Sequence, residues 1–312
     1  MIIHPNAAEL TLSGKTVVTV GSFDGVHTGH RKILNRLIEI SNSIGGNAVV
    51  ITFHPHPRHF LTNHGKPLFL LNTLDEKARL LSDLGINHLV LVNFDEKFAS
   101  MSPEQYIEDF LIAKFNPHTV VIGHDHRFGK ERAGGFELME QYAQKGSFCL
   151  EEIPAYEIKQ ATISSTLIRE KIQEGEIEMA NQSLGYDYEF SAIVIEGNKL
   201  GRTIGFPTAN LELTEPNKLV PGYGVYVVTV LMDNDQVFQA MMHIGDRPSI
   251  NDLKRSIEVH VLGFDGNLYG KTIRVKIHSK LRGVIPFPNL DALKAQLLAD
   301  RENAIQYFSG LI

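Results

Sequence analysis

Gly21-Ser-Phe-Asp-Gly-Val-His-Thr-Gly-His30 is the stretch that decides how this chain is read. It follows the apolar, β-branched run Val17–Val20 and precedes a helical pattern from Arg31. A glycine-rich turn between a strand and a helix is where a parallel α/β sheet binds phosphate. Gly21, Gly25 and Gly29 let the backbone turn tightly and approach an anion, with Ser22, Phe23 and Asp24 carried between them. His27 and His30 add two donors that can point at the same phosphates. No lysine stands in the Walker position, so the turn is not the common P-loop. Histidines at this spacing suit attack on the α-phosphate of a nucleotide better than a cradle around its γ-phosphate.

Working outward, short apolar runs alternate with amphipathic helices up to about residue 183. The runs Thr16–Val20, Ala48–Phe53, His88–Val92, Thr119–Gly123 and Phe148–Ile153 read as buried parallel strands. Thr73 with Glu76 forms a capping box, and Gly85 supplies the stop. Ser102, Pro103 and Gln105 open another helix, with Tyr106, Phe110 and Phe115 as its apolar stripe. This alternation predicts a doubly wound α/β domain. From Gly185 the pattern changes to extended runs: Phe190–Glu196, Val225–Met232, Val237–Ile244, Ile257–Phe264 and Thr272–His278. Asp233-Asn-Asp-Gln and Asp265-Gly-Asn read as hairpin turns. Many short strands predict a small antiparallel β-barrel. A terminal helix from Asn289 to Phe308 follows, with Leu293, Leu297 and Leu298 on its buried face. The expected domains are therefore 1–184 and 185–312.

Bulk properties narrow the function. The 312 residues carry a net charge of −6, which argues against a nucleic-acid binder and is compatible with a local basic pocket for a nucleotide. Cys149 is the single cysteine, so no intrachain disulfide forms, as in a reducing compartment. Met1-Ile-Ile-His-Pro-Asn has neither a basic region nor a long apolar core, so no secretory signal is expected. No run approaches the ~18 apolar residues of a membrane span. The plain expectation is a cytoplasmic protein.

Three more segments are expected to join Gly21–His30. Thr52-Phe-His-Pro-His-Pro-Arg58 and Gly123-His-Asp-His-Arg-Phe-Gly129 each follow a strand, at the ligand-binding edge of an open sheet. Ile163-Ser-Ser-Thr-Leu-Ile-Arg169 opens a helix: Ser164, Ser165 and Thr166 offer hydroxyls and N–H groups to pyrophosphate, and Arg169 adds a charged fork. Ser-Ser-Thr also reads as a simple N-cap. His54, His56 and Arg58 lack a fourth ligand, so zinc is not assigned. Asp125 binds a base or metal, or caps a turn.

These four segments resemble the adenylyltransferase half of the bacterial bifunctional riboflavin kinase/FAD synthetase family. The resemblance implies that Asp125 and Arg127 join the glycine-rich loop in binding nucleotide. It implies that His54, Pro55, His56, Pro57, Arg58, His126 and Phe128 bind flavin. His126 stands where that family usually has phenylalanine.

A second site is legible in Gly197-Asn-Lys-Leu-Gly-Arg-Thr-Ile-Gly-Phe-Pro-Thr-Ala-Asn210. Gly197, Gly201 and Gly205 permit a loop wrapped closely on a ligand. Thr208 and Asn210 are hard oxygen ligands that suit Mg²⁺ shared with phosphates. The stretch resembles the riboflavin kinase motif, and Gly222-Tyr-Gly-Val-Tyr226, Ile244-Gly-Asp-Arg-Pro-Ser249 and Ile257-Glu-Val-His260 follow in family order. The resemblance implies Glu258 as catalytic base. It implies Gly197, Lys199, Gly201, Arg202, Gly205, Phe206, Pro207, Gly222, Tyr226 and Arg247 as ATP and riboflavin contacts, with Arg282 and Phe287 enclosing the isoalloxazine ring. Leu281–Phe287 lacks the family's acidic pair. The implied function is FAD synthesis from riboflavin through FMN, with ATP and Mg²⁺. An enzyme with one live site and a non-catalytic flavin carrier are the other two readings.

Overall fold

The structure is a computed structural model that describes residues 1–6, 12–58, 68–154, 163–197, 201, 204–232, 236–247 and 254–310. Its contacts form two units, Met1–Ser165 and Thr166–Ile312.

The first unit is built on a parallel sheet of β1 (Ile2–His4), β2 (Thr16–Val20), β3 (Asn47–Phe53), β4 (His88–Val92), β5 (Thr119–Gly123) and β6 (Cys149–Ile153). The spatial order is β1-β4-β3-β2-β5-β6. Five strands match the sequence expectation. β1 was not expected, because three residues with Ile2 and Ile3 exposed carry no periodicity. Alternate residues face opposite layers. Val18, Val20, Val49 and Ile51 pack on one side with Tyr106 and Phe110, and Val17, Ala48 and Val50 on the other with Leu34, Leu37 and Leu81. Removing one such leucine side chain typically costs about 2–5 kcal/mol. Thr73 and Glu76 form the capping box of the helix Leu74–Leu84, and Gly85 ends it at φ 97°. Tyr106 and Phe110 lie in a π-helix, Tyr106–Ile112, and Phe115 in the α-helical turn that follows it; all three are buried. Phe110 and Phe115 meet at 5.3 Å.

Sequential strands run outward from β2 through β3 to β4 on one side and from β5 to β6 on the other. The order therefore switches between β2 and β5, and the crevice outside the carboxyl ends of such strands is where ligands bind. Gly21–His30 leaves β2 there, and Gly123–Gly129 leaves β5.

In the second unit β7 (Tyr188–Ile195), β8 (Ala209–Leu213), β9 (Gly224–Leu231), β10 (Val237–Arg247), β11 (Lys254–Val261) and β12 (Thr272–Arg282) close a barrel in the order β10-β11-β8-β7-β12-β9. All its pairings are antiparallel. Tyr188, Phe190, Val228, Met242, Ile257 and Ile277 are buried. β8 was read as part of a loop, because its strand begins inside the Pro207–Asn210 motif. The Asp233–Gln236 turn falls largely outside the described residues. Asp265-Gly-Asn is not a tight hairpin turn but the middle of a longer connection between β11 and β12. The helix Ser165–Glu174 from Thr166 on, and the helix Ile177–Leu184, belong to this unit, with Asn181 donating to the Ile277 carbonyl. The terminal helix Leu290–Ser309 is capped by Asn289 and buries Asp300, Ala304 and Phe308. Leu298 was expected on the buried face but is 39% exposed; the i, i+4 row through Asp300 and Ala304 takes the contact. Among the described residues no helix is long and apolar enough to cross a membrane.

Candidate active sites

In the first unit, the loop after β2 is held from below. Asp24 is buried, and its carboxylate accepts from the backbone N–H groups of Leu71 (3.0 Å) and Asn72 (3.2 Å). That makes Asp24 a brace for the loop. Lys77 donates to the Ser22 carbonyl at 2.6 Å, and Thr52 donates to the same carbonyl at 3.2 Å. Burial lowers the Lys77 ammonium, and Asp24 opposes that shift. Phe23 and Val26 both take positive φ, 45° and 37°, a conformation that costs of order 1–3 kcal/mol each for such residues. The braces from Asp24 and Lys77 hold it.

His27 caps the helix Thr28–Ser43. Its Nδ1 accepts from the His30 backbone N–H at 3.2 Å, so the neutral ring carries its proton on Nε2 and can donate there. The two rings stack, and Phe23 meets His30 edge-on at 5.3 Å. His30 is held well below the ordinary histidine range by burial first, then by His27 and Lys77. Its Nδ1 is buried without a hydrogen-bond partner. Ser165 Oγ donates to the Asp24 carbonyl at 2.9 Å, which sets Ser165 against this loop, with the exposed Ser164 before it. Thr166 and the buried Arg169 are in the second unit.

The neighbouring loops are present at the same sheet edge. His54 and Arg58 are exposed after β3, whereas His56 is buried and its Nδ1 accepts from the Arg58 N–H. Asp125 and Arg127 are exposed after β5. His126 is pushed down to about 4, chiefly by burial, and its Nε2 has no partner. Phe128 is a core residue, stacked on Tyr106 at 4.7 Å. Lys77 is the participant that the sequence reading missed; nothing in a mid-helix lysine marks it.

In the second unit, a cavity of about 390 Å³ lies on the outer face of the barrel. Thr208, Asn210 and Glu258 meet there, with Thr208 Oγ1 donating to Glu258 Oε2 at 2.9 Å. Glu258 pairs with Asn210 across β11 and β8. The Asn210 amide lies over Gly197, where an added Cβ would come within 2.1 Å of it. Gly201 is equally required, because a Cβ would stand 2.1 Å from the Phe206 carbonyl oxygen. Phe206, Ile285, Phe287, Leu293 and Leu297 form the apolar wall. Arg282 is bound to the buried Asp300 through Nε and Nη2 at 3.0 and 2.7 Å, and its guanidinium stands 5.8 Å from the Phe287 ring. A second cavity of about 420 Å³ shares Thr208 and is lined by Pro207, Asp265, Asn267 and Tyr269.

Gly222 and Tyr226 lie elsewhere. The Tyr226 side chain is buried, its hydroxyl bonded to the Gly222 carbonyl, and Gly222 abuts the Gln173 carbonyl. Gly205 takes φ 83° in the loop before Phe206. Lys199 and Arg202 lie outside the described residues, as does the Arg247 side chain.

An α/β unit with a glycine-rich loop at its switch point, and a barrel with a hydroxyl–carboxylate pair in a cavity, are the frame of a two-site phosphoryl- and nucleotidyl-transferring protein. The comparisons agree. The FAD synthetase family model matches residues 10–167 and the riboflavin kinase model residues 184–308. A Bacillus subtilis bifunctional riboflavin kinase/FMN adenylyltransferase is 36% identical, covering 99% of this chain and 98% of its own. The Escherichia coli K12 protein of the same description is 34% identical over 94% of this chain and 92% of its own. A solved Streptococcus pneumoniae structure, described as a macrolide-efflux protein, superposes with a TM-score of 0.87 at 30% identity, covering 96% of this chain and 97% of its own. The chain belongs to the bifunctional riboflavin kinase/FMN adenylyltransferase family.

Proposed function

We propose that the family's two reactions run on this chain at the two sites above, the kinase step in the barrel and the adenylyl transfer in the α/β unit. The observation that carries the first is the Thr208–Glu258 hydrogen bond in a cavity with one apolar wall. The apolar wall suits the flavin ring system, and the second cavity, across Thr208, suits the adenosine of ATP. Glu258 takes the proton of the riboflavin 5′-hydroxyl. That oxygen bonds to the γ-phosphorus, the bond to the β–γ bridging oxygen breaks, and ADP leaves. Because the Thr208 proton points to Glu258, the hydroxyl lone pairs are left for a hard cation, and the Asn210 carbonyl beside it fits the same role. These two residues would hold Mg²⁺, which when bound neutralises phosphate charge.

In the α/β unit, an FMN phosphate oxygen bonds to the α-phosphorus of a second ATP and pyrophosphate leaves. His27, through Nε2–H, and the neutral His30 stabilise the growing charge as hydrogen-bond donors. Ser164 and Ser165 hold the leaving group. Positioning and preorganised electrostatics supply the acceleration. The net charge of −6 supports small-molecule substrates over nucleic acid, and a single cysteine with two ATP-consuming steps supports a cytoplasmic setting.

Chromatography of products from riboflavin with Mg·ATP tests this directly. FMN should accumulate first and then FAD. Riboflavin left unchanged, or FMN left unconverted with ATP in excess, would overturn the corresponding half.

A further inference from the structure

One row of side chains crosses five strands of the barrel. Asn210 pairs with Glu258, Glu258 with His243, His243 with Val225, and Val225 with Arg282. Directly paired residues project from the same sheet face, about 4.8 Å apart from strand to strand. All five line the first cavity.

The other polar groups of that lining are largely committed. Thr208 is bonded to Glu258, and Arg282 to Asp300. Ser256 donates to the Gly245 carbonyl, Asp246 accepts from Tyr223, and the His260 ring is bonded to the Pro207 carbonyl. The His243 ring has no hydrogen bond among the described residues. It is seated over Gly245, two residues on. A Cβ there would stand 2.6 Å from its Cε1 and 3.0 Å from its Nε2, so the glycine clears the space the ring occupies. Burial lowers the imidazole below its ordinary range; Glu258 opposes this, Arg282 adds to it and Asp300 opposes it. A neutral imidazole presents one donor and one acceptor.

Resting on the kinase reading above, we infer that His243 is a substrate-binding residue, hydrogen-bonded to the polyol chain of the flavin next to the hydroxyl that Glu258 deprotonates. The row gives the order. Asn210 and Thr208 stand on the phosphate side of Glu258, and His243 stands one strand away on the other. The Arg282–Phe287 end, which takes the ring system, lies two strands further. A chain joining the reacting hydroxyl to the ring must pass His243. A secondary hydroxyl both donates and accepts, which matches a neutral imidazole.

The test is steady-state phosphorylation of riboflavin by the full chain and its His243→Leu, His243→Asn and Gly245→Ala variants. Loss of one hydrogen bond should raise the riboflavin KM about tenfold in His243→Leu, with the ATP KM unmoved. His243→Asn keeps a donor and an acceptor and should return the KM to within about threefold of wild type. Gly245→Ala, which displaces the ring, should raise the same KM. FMN adenylylation by the same proteins reports folding. A riboflavin KM within about twofold of wild type in His243→Leu, or equal rises in both KM values, overturns the assignment. If His243→Leu does not fold, Gly245→Ala decides by the same criterion. A wild type that cannot phosphorylate riboflavin overturns the kinase reading and this inference together, whereas an active wild type with indifferent variants overturns this inference alone.

Discussion

The imidazole rings of His27 and His30 lie face to face, 3.6 Å between centroids and 15° from parallel. Such a stack does not hold two charges cheaply, and the His27 ring is among the causes that keep His30 neutral. His30→Ala should lower FMN adenylylation by about 10²–10³, the usual effect of losing one preorganised donor. Riboflavin phosphorylation should persist. Equal loss of both activities in a folded variant would remove His30 from the adenylylation site.

The same burial has a pH consequence. His30 and His126 have folded-state values below the ordinary 6.5, His126 at about 4. The unfolded chain therefore binds more protons as pH falls through 6.5. The stability is fully present above 6.5 and is lost as pH falls towards 4. The first unit should melt at falling temperature across that window. His126→Phe should flatten the dependence, as followed by thermal unfolding at stepped pH; an unchanged slope would contradict a buried Nε2 without a hydrogen-bond partner.

Glu258→Gln keeps the shape of the side chain and its place beside Thr208 but removes the proton acceptor. FMN formation should fall by about 10²–10⁴. Conversion of supplied FMN to FAD should continue. A kinase rate within about twofold of wild type is too small a loss for a general base, and would leave Glu258 a structural residue.

Asp24 accepts from two buried backbone N–H groups, and Asp24→Ala would remove both hydrogen bonds, at about 1–3 kcal/mol each for buried donors. The variant should lose stability in the first unit and adenylylation with it, because the His27–His30 loop loses its brace. Chemical denaturation of the full chain, with the barrel's kinase activity as internal control, measures this. Adenylylation lost at wild-type stability would point instead to direct ligand contact by Asp24.

Arg282→Ala leaves Asp300 buried without its cation, a loss of about 3–5 kcal/mol for a broken buried pair. Replacing both partners with apolar residues should cost less than either single change. A double-mutant cycle by urea unfolding distinguishes this from simple additivity.

Much of this protein was legible because parallel strands buried on both faces are near-continuous β-branched runs. Val17–Val20 and Thr119–Gly123 can be little else, and Thr73, Glu76 and Gly85 mark a helix by local chemistry alone. Several barrel strands declared themselves by alternation, as in Ile273, Val275 and Ile277. What escaped had no local signal. β1 is held by pairing with β4, and β8 by pairing with β7 and β11. The composition change near Gly185 marks where barrel strands begin, whereas the preceding helices pack with the barrel through contacts such as Asn181 with Ile277.

The sequence by itself determined the two folds and the residue types gathered in the glycine-rich motifs, because these rest on periodicity, turn-forming glycines and short-range spacing. Only the tertiary structure decided which of those residues are spent on the scaffold and which line a cavity or the sheet edge. Asp24, Phe128 and Tyr226 stand inside motifs yet spend their side chains on Leu71, Tyr106 and Gly222. Lys77 stands in no local motif, and His243 stands at the edge of the Ile244–Ser249 motif, yet Lys77 braces the first loop and His243 lines the barrel cavity. A side chain's partners come from strands and helices far away in the chain, and burial sets its charge; neither quantity is written in the neighbouring residues.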